Sequence, residues 1–169
     1  MASVADLIGN TPLVELQKLN TNINVKILAK LEGDKPGGSV KDRPAFNMIK
    51  SALERGDIKK NTKLIEATSG NTGIAMALAA NLFELEVELA MPANSTRERV
   101  LTMEAYGAKV TLLESIEACR DYADEMAAKG DYYQLNQFAN PDNPRAHYEG
   151  KRARQTDPLG NVSVDRAGA

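Results

Sequence analysis

Two short stretches hold residue types suited to chemistry, each at a spacing that sets them beside a helix start. Residues 37–44 read GGSVKDRP, with Lys41 two positions after Ser39 and three before Pro44. Proline is tolerated only in the first turn of a helix, so the regular helix must begin between Ser39 and Arg43. Ser39 is its N-cap candidate, with Asp42 at the capping-box distance. Lys41 then lies at the positive end of the helix dipole with Arg43 close by. That surrounding disfavours a further cation and leaves the amine readier to act as a nucleophile, able to form a Schiff base. The same placement also suits a merely solvated lysine, and local features leave both readings open. Residues 66–73 read EATSGNTG. Thr68, Ser69, Gly70, Asn71, Thr72 and Gly73 supply hydroxyls, an amide and free backbone N–H groups where a strand meets a helix, a combination that suits a carboxylate or phosphate. The stretch lacks the GK[ST] ending of a Walker loop and the G-x-G-x-x-G dinucleotide fingerprint. A simple capped turn remains the alternative.

The rest of the composition narrows the chemistry. His147 and Cys119 are the sole histidine and cysteine, too few for a zinc cluster or a Ser-His-Asp triad. Beside Arg145, Tyr148 and Glu149, His147 is expected at the surface. The 169 residues carry 43% hydrophobic content and a net charge of −2. That is a globular chain with a core of its own and no electrostatic footprint for nucleic acid. The longest apolar run, Ile74 to Ala80, falls far short of the ~20 residues that span a bilayer. A lone cysteine and no leader pattern near Met1 point to the cytoplasm. Partners are thus expected among small molecules and proteins, not nucleic acid or membrane.

The elements that must position Lys41 and the 68–73 loop follow from periodicity. Asn24 to Glu32 alternates as a half-buried strand with Val25, Ile27, Ala29 and Leu31 on one side, and Val14 to Leu16 is a shorter strand. Phe46, Ile49, Ala52 and Leu53 mark a helix ending at Arg55-Gly56. Thereafter strands over Lys63–Ala67, Val87–Met91, Lys109–Leu113 and Tyr133–Leu135 alternate with helices over Gly73–Leu82, Ser95–Tyr106 and Ser115–Lys129. Ser95 and Glu98 have capping-box spacing, Gly107 and Gly130 stand at helix ends, and residues 140–144 form a turn-rich stretch. Such alternation predicts an α/β fold, a mainly parallel sheet covered by helices on both faces, with ligands bound at the carboxyl ends of the strands.

Taken together, GNTPLVEL (9–16), KLEGDKPGGSVKDR (30–43), EATSGNTG (66–73), MP (91–92), AYGAKV (105–110) and QFANPDNP (137–144) resemble, in order and spacing, the cysteine synthase family. The similarity is to the first half of an O-acetylserine sulfhydrylase, B isoform, a fold-type II pyridoxal-phosphate enzyme, and covers about residues 6–149. The resemblance implies a three-layer lobe over 37–149, with residues 1–36 contributing strands to a second lobe's sheet. It implies pyridoxal 5'-phosphate bound through Lys41, which would also remove the substrate's Cα proton. Asn71 would meet the cofactor ring hydroxyl, while Thr68, Ser69, Gly70, Asn71, Thr72 and Gln137 would bind the amino-acid substrate at its carboxylate. The implied reaction is β-replacement on O-acetylserine by sulfide or thiosulfate, with cystathionine β-synthase chemistry as a variant within the superfamily. After His147-Tyr148 the family continues with a further strand and a phosphate-binding loop. Here residues 150–169 are basic, then small and polar, and are expected to be a disordered tail on a truncated lobe. The strands of residues 13–34 would then lack partners, which favours homodimerisation or aggregation, and a non-catalytic lobe is the competing reading.

Overall fold

The computed structural model describes residues 3–152, with side chains as far as Glu149. Of the tail expected over 150–169, only the backbone of 150–152 falls within it, and there it is helical; the remainder lies outside the described residues. The chain opens with β1 (Leu13–Glu15) and β2 (Leu28–Lys30), an antiparallel pair in which Leu13 faces Lys30. Helix α1 (Asp42–Arg55) leads into β3 (Leu64–Ala67), α2 (Asn71–Leu82), β4 (Val87–Pro92), α3 (Arg97–Ala105), β5 (Lys109–Leu113), α4 (Ile116–Ala128), β6 (Tyr133–Gln134) and α5 (Asp142–Arg152). Strands β3 to β6 form one parallel sheet in the order β5-β4-β3-β6. Helix α4 packs on the sheet by itself, while α2 and α3 meet β4 and β5, and α1 packs on α2 and α5. This is the expected α/β arrangement, with a helix between each strand of the parallel sheet and the next in sequence.

Two apolar clusters hold the layers. The larger joins Met48 and Ile49 of α1, Met76 of α2, Leu64 of β3, Leu89 and Met91 of β4, and Met103 of α3. The smaller sits under α4, where Cys119 and Ala123 meet Ile65, Ala67 and Ala90. Helix α2 is buried from Thr72 through Ala80 apart from Ile74, which explains its lack of a polar stripe: a helix apolar all round belongs inside a core. Its alanines let α1 approach closely.

Several ends differ from expectation, each for a local reason. The Ser39–Asp42 capping box does not form because Lys41 itself takes the cap position of α1. Instead the Ser39 hydroxyl accepts the Lys41 N–H at 3.1 Å, and the Asp42 carboxylate reaches back to the Gly37 N–H at 2.7 Å. The Ser95–Glu98 box fails likewise: Thr96 caps α3, without a side-chain bond, so Glu98 stands one residue too early. Helix α2 starts two residues before Gly73, at Asn71. The turn-rich stretch begins α5, with the Asn140 side-chain oxygen accepting the Asp142 N–H at 2.9 Å. In place of a strand over Asn24–Glu32, only Leu28–Lys30 is regular, and Val25, Ile27 and Leu31 are exposed rather than half-buried. Their alternation is real, but no layer of the described chain covers β1 and β2.

Candidate functional site

Strand β3 ends in the loop that opens α2, and the loop's own side chains set its shape. The buried Thr68 hydroxyl accepts the N–H groups of Gly70 at 3.4 Å and Gly73 at 3.2 Å, so one threonine folds the chain into the first turn of α2. Gly73 is required by space: a Cβ there would stand 2.6 Å from Thr68 Cγ2 and 2.7 Å from Met103 Cε. The buried Thr72 hydroxyl donates to the Gln137 side-chain oxygen at 2.8 Å, and Gln137 Nε2 donates to the Ala67 carbonyl at 3.4 Å. Gln137, 65 residues away in sequence, is thereby joined to the loop as expected. Ser69 and Asn71 are exposed. Among the described residues, the backbone N–H groups of Ser69, Asn71 and Thr72 take no acceptor. Three open N–H groups at the head of a buried helix attract an anion. A capped turn does not exclude an anion at this loop: Thr68 makes the turn and leaves the N–H groups of Ser69, Asn71 and Thr72 open.

Lys41 stands at the head of α1, half-buried, and its ammonium takes no acceptor among the described residues. Its neighbours are arranged otherwise than expected. Arg43 turns away from it to form a bidentate pair with Glu32, Nε to Oε2 at 2.8 Å and Nη2 to Oε1 at 3.0 Å, and also reaches the Thr11 hydroxyl at 3.2 Å. A forked, charge-assisted pair outweighs any arrangement that leaves the guanidinium uncompensated beside another cation. The buried Lys35 ammonium adds a second ion pair to Glu32. Burial works to raise the Glu32 carboxyl, but its bonds to Arg43, Lys35 and Thr11 overcome that and hold it down at about 2. This cluster clamps the Lys41 turn to the segment carrying β1 and β2.

No hydrogen bond links Lys41 to the 68–73 loop; the two are related through α1 packed on α2 and through the last turns of α3. There Met103 presses against Gly73, while the Tyr106 hydroxyl donates to the Pro36 carbonyl at 3.2 Å, just ahead of the Lys41 turn. Arg99 of α3 donates to the Ser69 carbonyl at 3.1 Å and brings a guanidinium beside Gly70. Sequence reasoning assigned no role to these three residues, since a short helix with little apolar asymmetry carries no mark of which turn will touch a distant loop. It also passed over Glu66, although a lone carboxylate in the buried strand LIEA is a signal. Glu66 is 3% exposed and accepts the N–H groups of Asn136 at 2.9 Å and Gln137 at 3.3 Å. Burial pushes its carboxyl up, the two amides offset part of this, Asp124 adds to it, and it settles at about 7. His147 is half-buried on α5 rather than solvated. Among the described residues there is no group of three metal-ligating side chains and no helix long and apolar enough to cross a membrane.

The geometry has relatives. Cysteine synthase B of Pseudomonas aeruginosa is 53% identical over 149 residues, covering 86% of this chain and 50% of that protein. Cysteine synthase B of Escherichia coli is 50% identical over 151 residues, covering 88% of this chain and 50% of that one. The chain thus spans about half the length of these curated relatives. Among solved structures, the O-acetylserine dependent cystathionine beta-synthase from Helicobacter pylori superposes with a TM-score of 0.84 at 37% identity over 95% of this chain and 54% of its own. The profile described as pyridoxal-phosphate dependent enzyme matches residues 4–150, nearly all of the described residues, and the chain belongs to that family, among the cysteine synthases and their kin.

Proposed function

We propose that this chain carries the lysine-bearing part of a site that makes cysteine, or S-sulfocysteine, by β-replacement on O-acetylserine with sulfide or thiosulfate. The observation that supports it most is the Thr72–Gln137 bond, which ties two separate strand ends into one grip around the open N–H groups at the head of α2. The residues present fit pyridoxal 5'-phosphate with a bound amino acid: an uncommitted, half-buried amine at Lys41 and an anion-seeking loop on the neighbouring helix. When bound, the cofactor supplies the electron sink that β-replacement needs.

The chain's own residues would do the rest. Lys41 would hold the cofactor through its amine and afterwards, as a base, take the proton from the substrate's Cα. Asn71, exposed beside the loop, would meet the ring hydroxyl. Ser69, Asn71 and Thr72 would hold the substrate carboxylate with their open N–H groups, as Gln137 would with its amide, while the Gly70 N–H stays on Thr68. Thr68 keeps that turn in shape and Arg99 stiffens it from outside. The likeness to the Helicobacter pylori enzyme supports a second reading, the same chemistry with a larger thiol as nucleophile. Both readings are tested by supplying the chain with pyridoxal phosphate and O-acetylserine, then sulfide, thiosulfate or homocysteine in turn, and measuring the product. Product that disappears in Lys41→Ala is expected. A visible cofactor band without any product would make this a binding lobe and not a catalyst.

A further inference from the structure

Glu66 lies two residues before Thr68, on the strand that feeds the loop, and its carboxylate is buried with two successive backbone N–H groups from another strand's end. A buried carboxylate must find donors, but it need not find them there. At Asn136 the backbone takes φ +52°, a left-handed conformation uncommon outside glycine, and the paired N–H bonds hold the chain in that turn. The next residue, Gln137, then projects its side chain back over β3, onto the Ala67 carbonyl and the Thr72 hydroxyl.

We propose that Glu66 is a positioning residue, which sets Gln137 against Thr72 and so fixes the grip on the substrate's carboxylate without touching the substrate. The inference rests on the reading that Thr72 and Gln137 bind that carboxylate. Each carboxylate oxygen accepts one of the two N–H groups; an amide in its place turns an NH2 against one of them. The charge on Glu66 is also finely held, with its titration moved up to about 7 by burial. On α4, Asp124 is the charged neighbour that acts on it. On β4, Glu88 stands opposite Ile65 with its carboxylate committed to Lys109, Thr111, Tyr122 and Tyr132. β6 contributes Tyr133 opposite Leu64, and the loop contributes only amides.

The test uses the 169-residue chain and two readouts. By NMR, the backbone amide resonances of Asn136 and Gln137 should move together as pH is raised from 5 to 8, and Glu66→Gln should abolish that common movement. With pyridoxal phosphate bound, the affinity for L-serine should fall roughly tenfold or more in Glu66→Gln, while the cofactor's own visible band stays unchanged and Glu66→Asp, which keeps both acceptors, recovers part of the loss. Persistence of the common movement in Glu66→Gln, or an L-serine affinity equal to wild type, overturns the proposal. If the wild type binds no L-serine, the functional reading falls, and the amide resonances alone then decide whether Glu66 sets the Gln137 turn.

Discussion

Two buried glutamates sit one strand apart and are held in opposite states. Glu66 on β3 and Glu88 on β4 are 3% and 1% exposed. Burial pushes both carboxyls up. Glu66 stays there, at about 7, because two backbone amides are its whole compensation. Glu88 is brought down to about 2 by Tyr132, Thr111, Lys109 and Tyr122, at 2.6 to 2.9 Å. The charge on Glu88 is thus tied into the sheet and α4, which is what a structural carboxylate needs. The charge on Glu66 is weakly held beside the loop that would bind substrate. Weak compensation at a functional edge and strong compensation in the frame are what separate a site from its scaffold.

The largest expected effect tests the frame. Glu88→Ala leaves two tyrosine hydroxyls, a threonine hydroxyl and a lysine without their shared acceptor, and should cost about 2–4 kcal/mol in urea unfolding. A loss below about 1 kcal/mol would dissolve the contrast. Next comes pH, where the two carboxyls act with opposite sign. Glu88, lowered, contributes stability that is complete above about 4.5 and lost as pH falls toward 2; Glu32 does the same. Glu66, raised, contributes stability that is complete below about 4.5 and lost as pH rises through 7. Unfolding free energies measured from pH 3 to 8 should therefore lose their neutral-side decline in Glu66→Gln and part of their acid-side decline in Glu88→Gln. Identical profiles for the two variants would contradict the assignment. The smallest effect is steric: Gly73→Ala should cost about 1–3 kcal/mol by forcing Thr68 and Met103 aside, read as a lowered thermal midpoint, with wild-type stability counting against the tight loop.

Much of this was legible in the sequence where a residue's own geometry is restrictive. Pro44 can stand only in a first turn, so the head of α1 and the place of Lys41 followed. The helix expected from Ser115 begins one residue later, with Ser115 itself capping α4 by accepting the Ala118 N–H. The meeting of Gln137 with the 68–73 loop was expected from motif resemblance alone, since 65 residues of intervening chain carry no local signal. What stayed hidden was partner choice. A charge in LIEA or VELAMP says that a donor must exist, not whether it is an amide, a tyrosine or a lysine. The sequence sets Arg43 beside Lys41, yet Glu32, eleven residues back, offers a fork that Lys41 does not. The alternation of Asn24–Glu32 predicts a half-buried strand, but a pattern shows which face is apolar and not whether another layer covers it.

The central claim is that Lys41 is the reactive amine of this chain. Incubating it with pyridoxal phosphate, reducing with borohydride and mapping the modified peptides tests that directly. The account predicts one cofactor mass on the peptide holding Lys41 and none in Lys41→Ala. Modification spread over solvent-facing lysines such as Lys60, whose side chain is 89% exposed, with Lys41 spared, would contradict it.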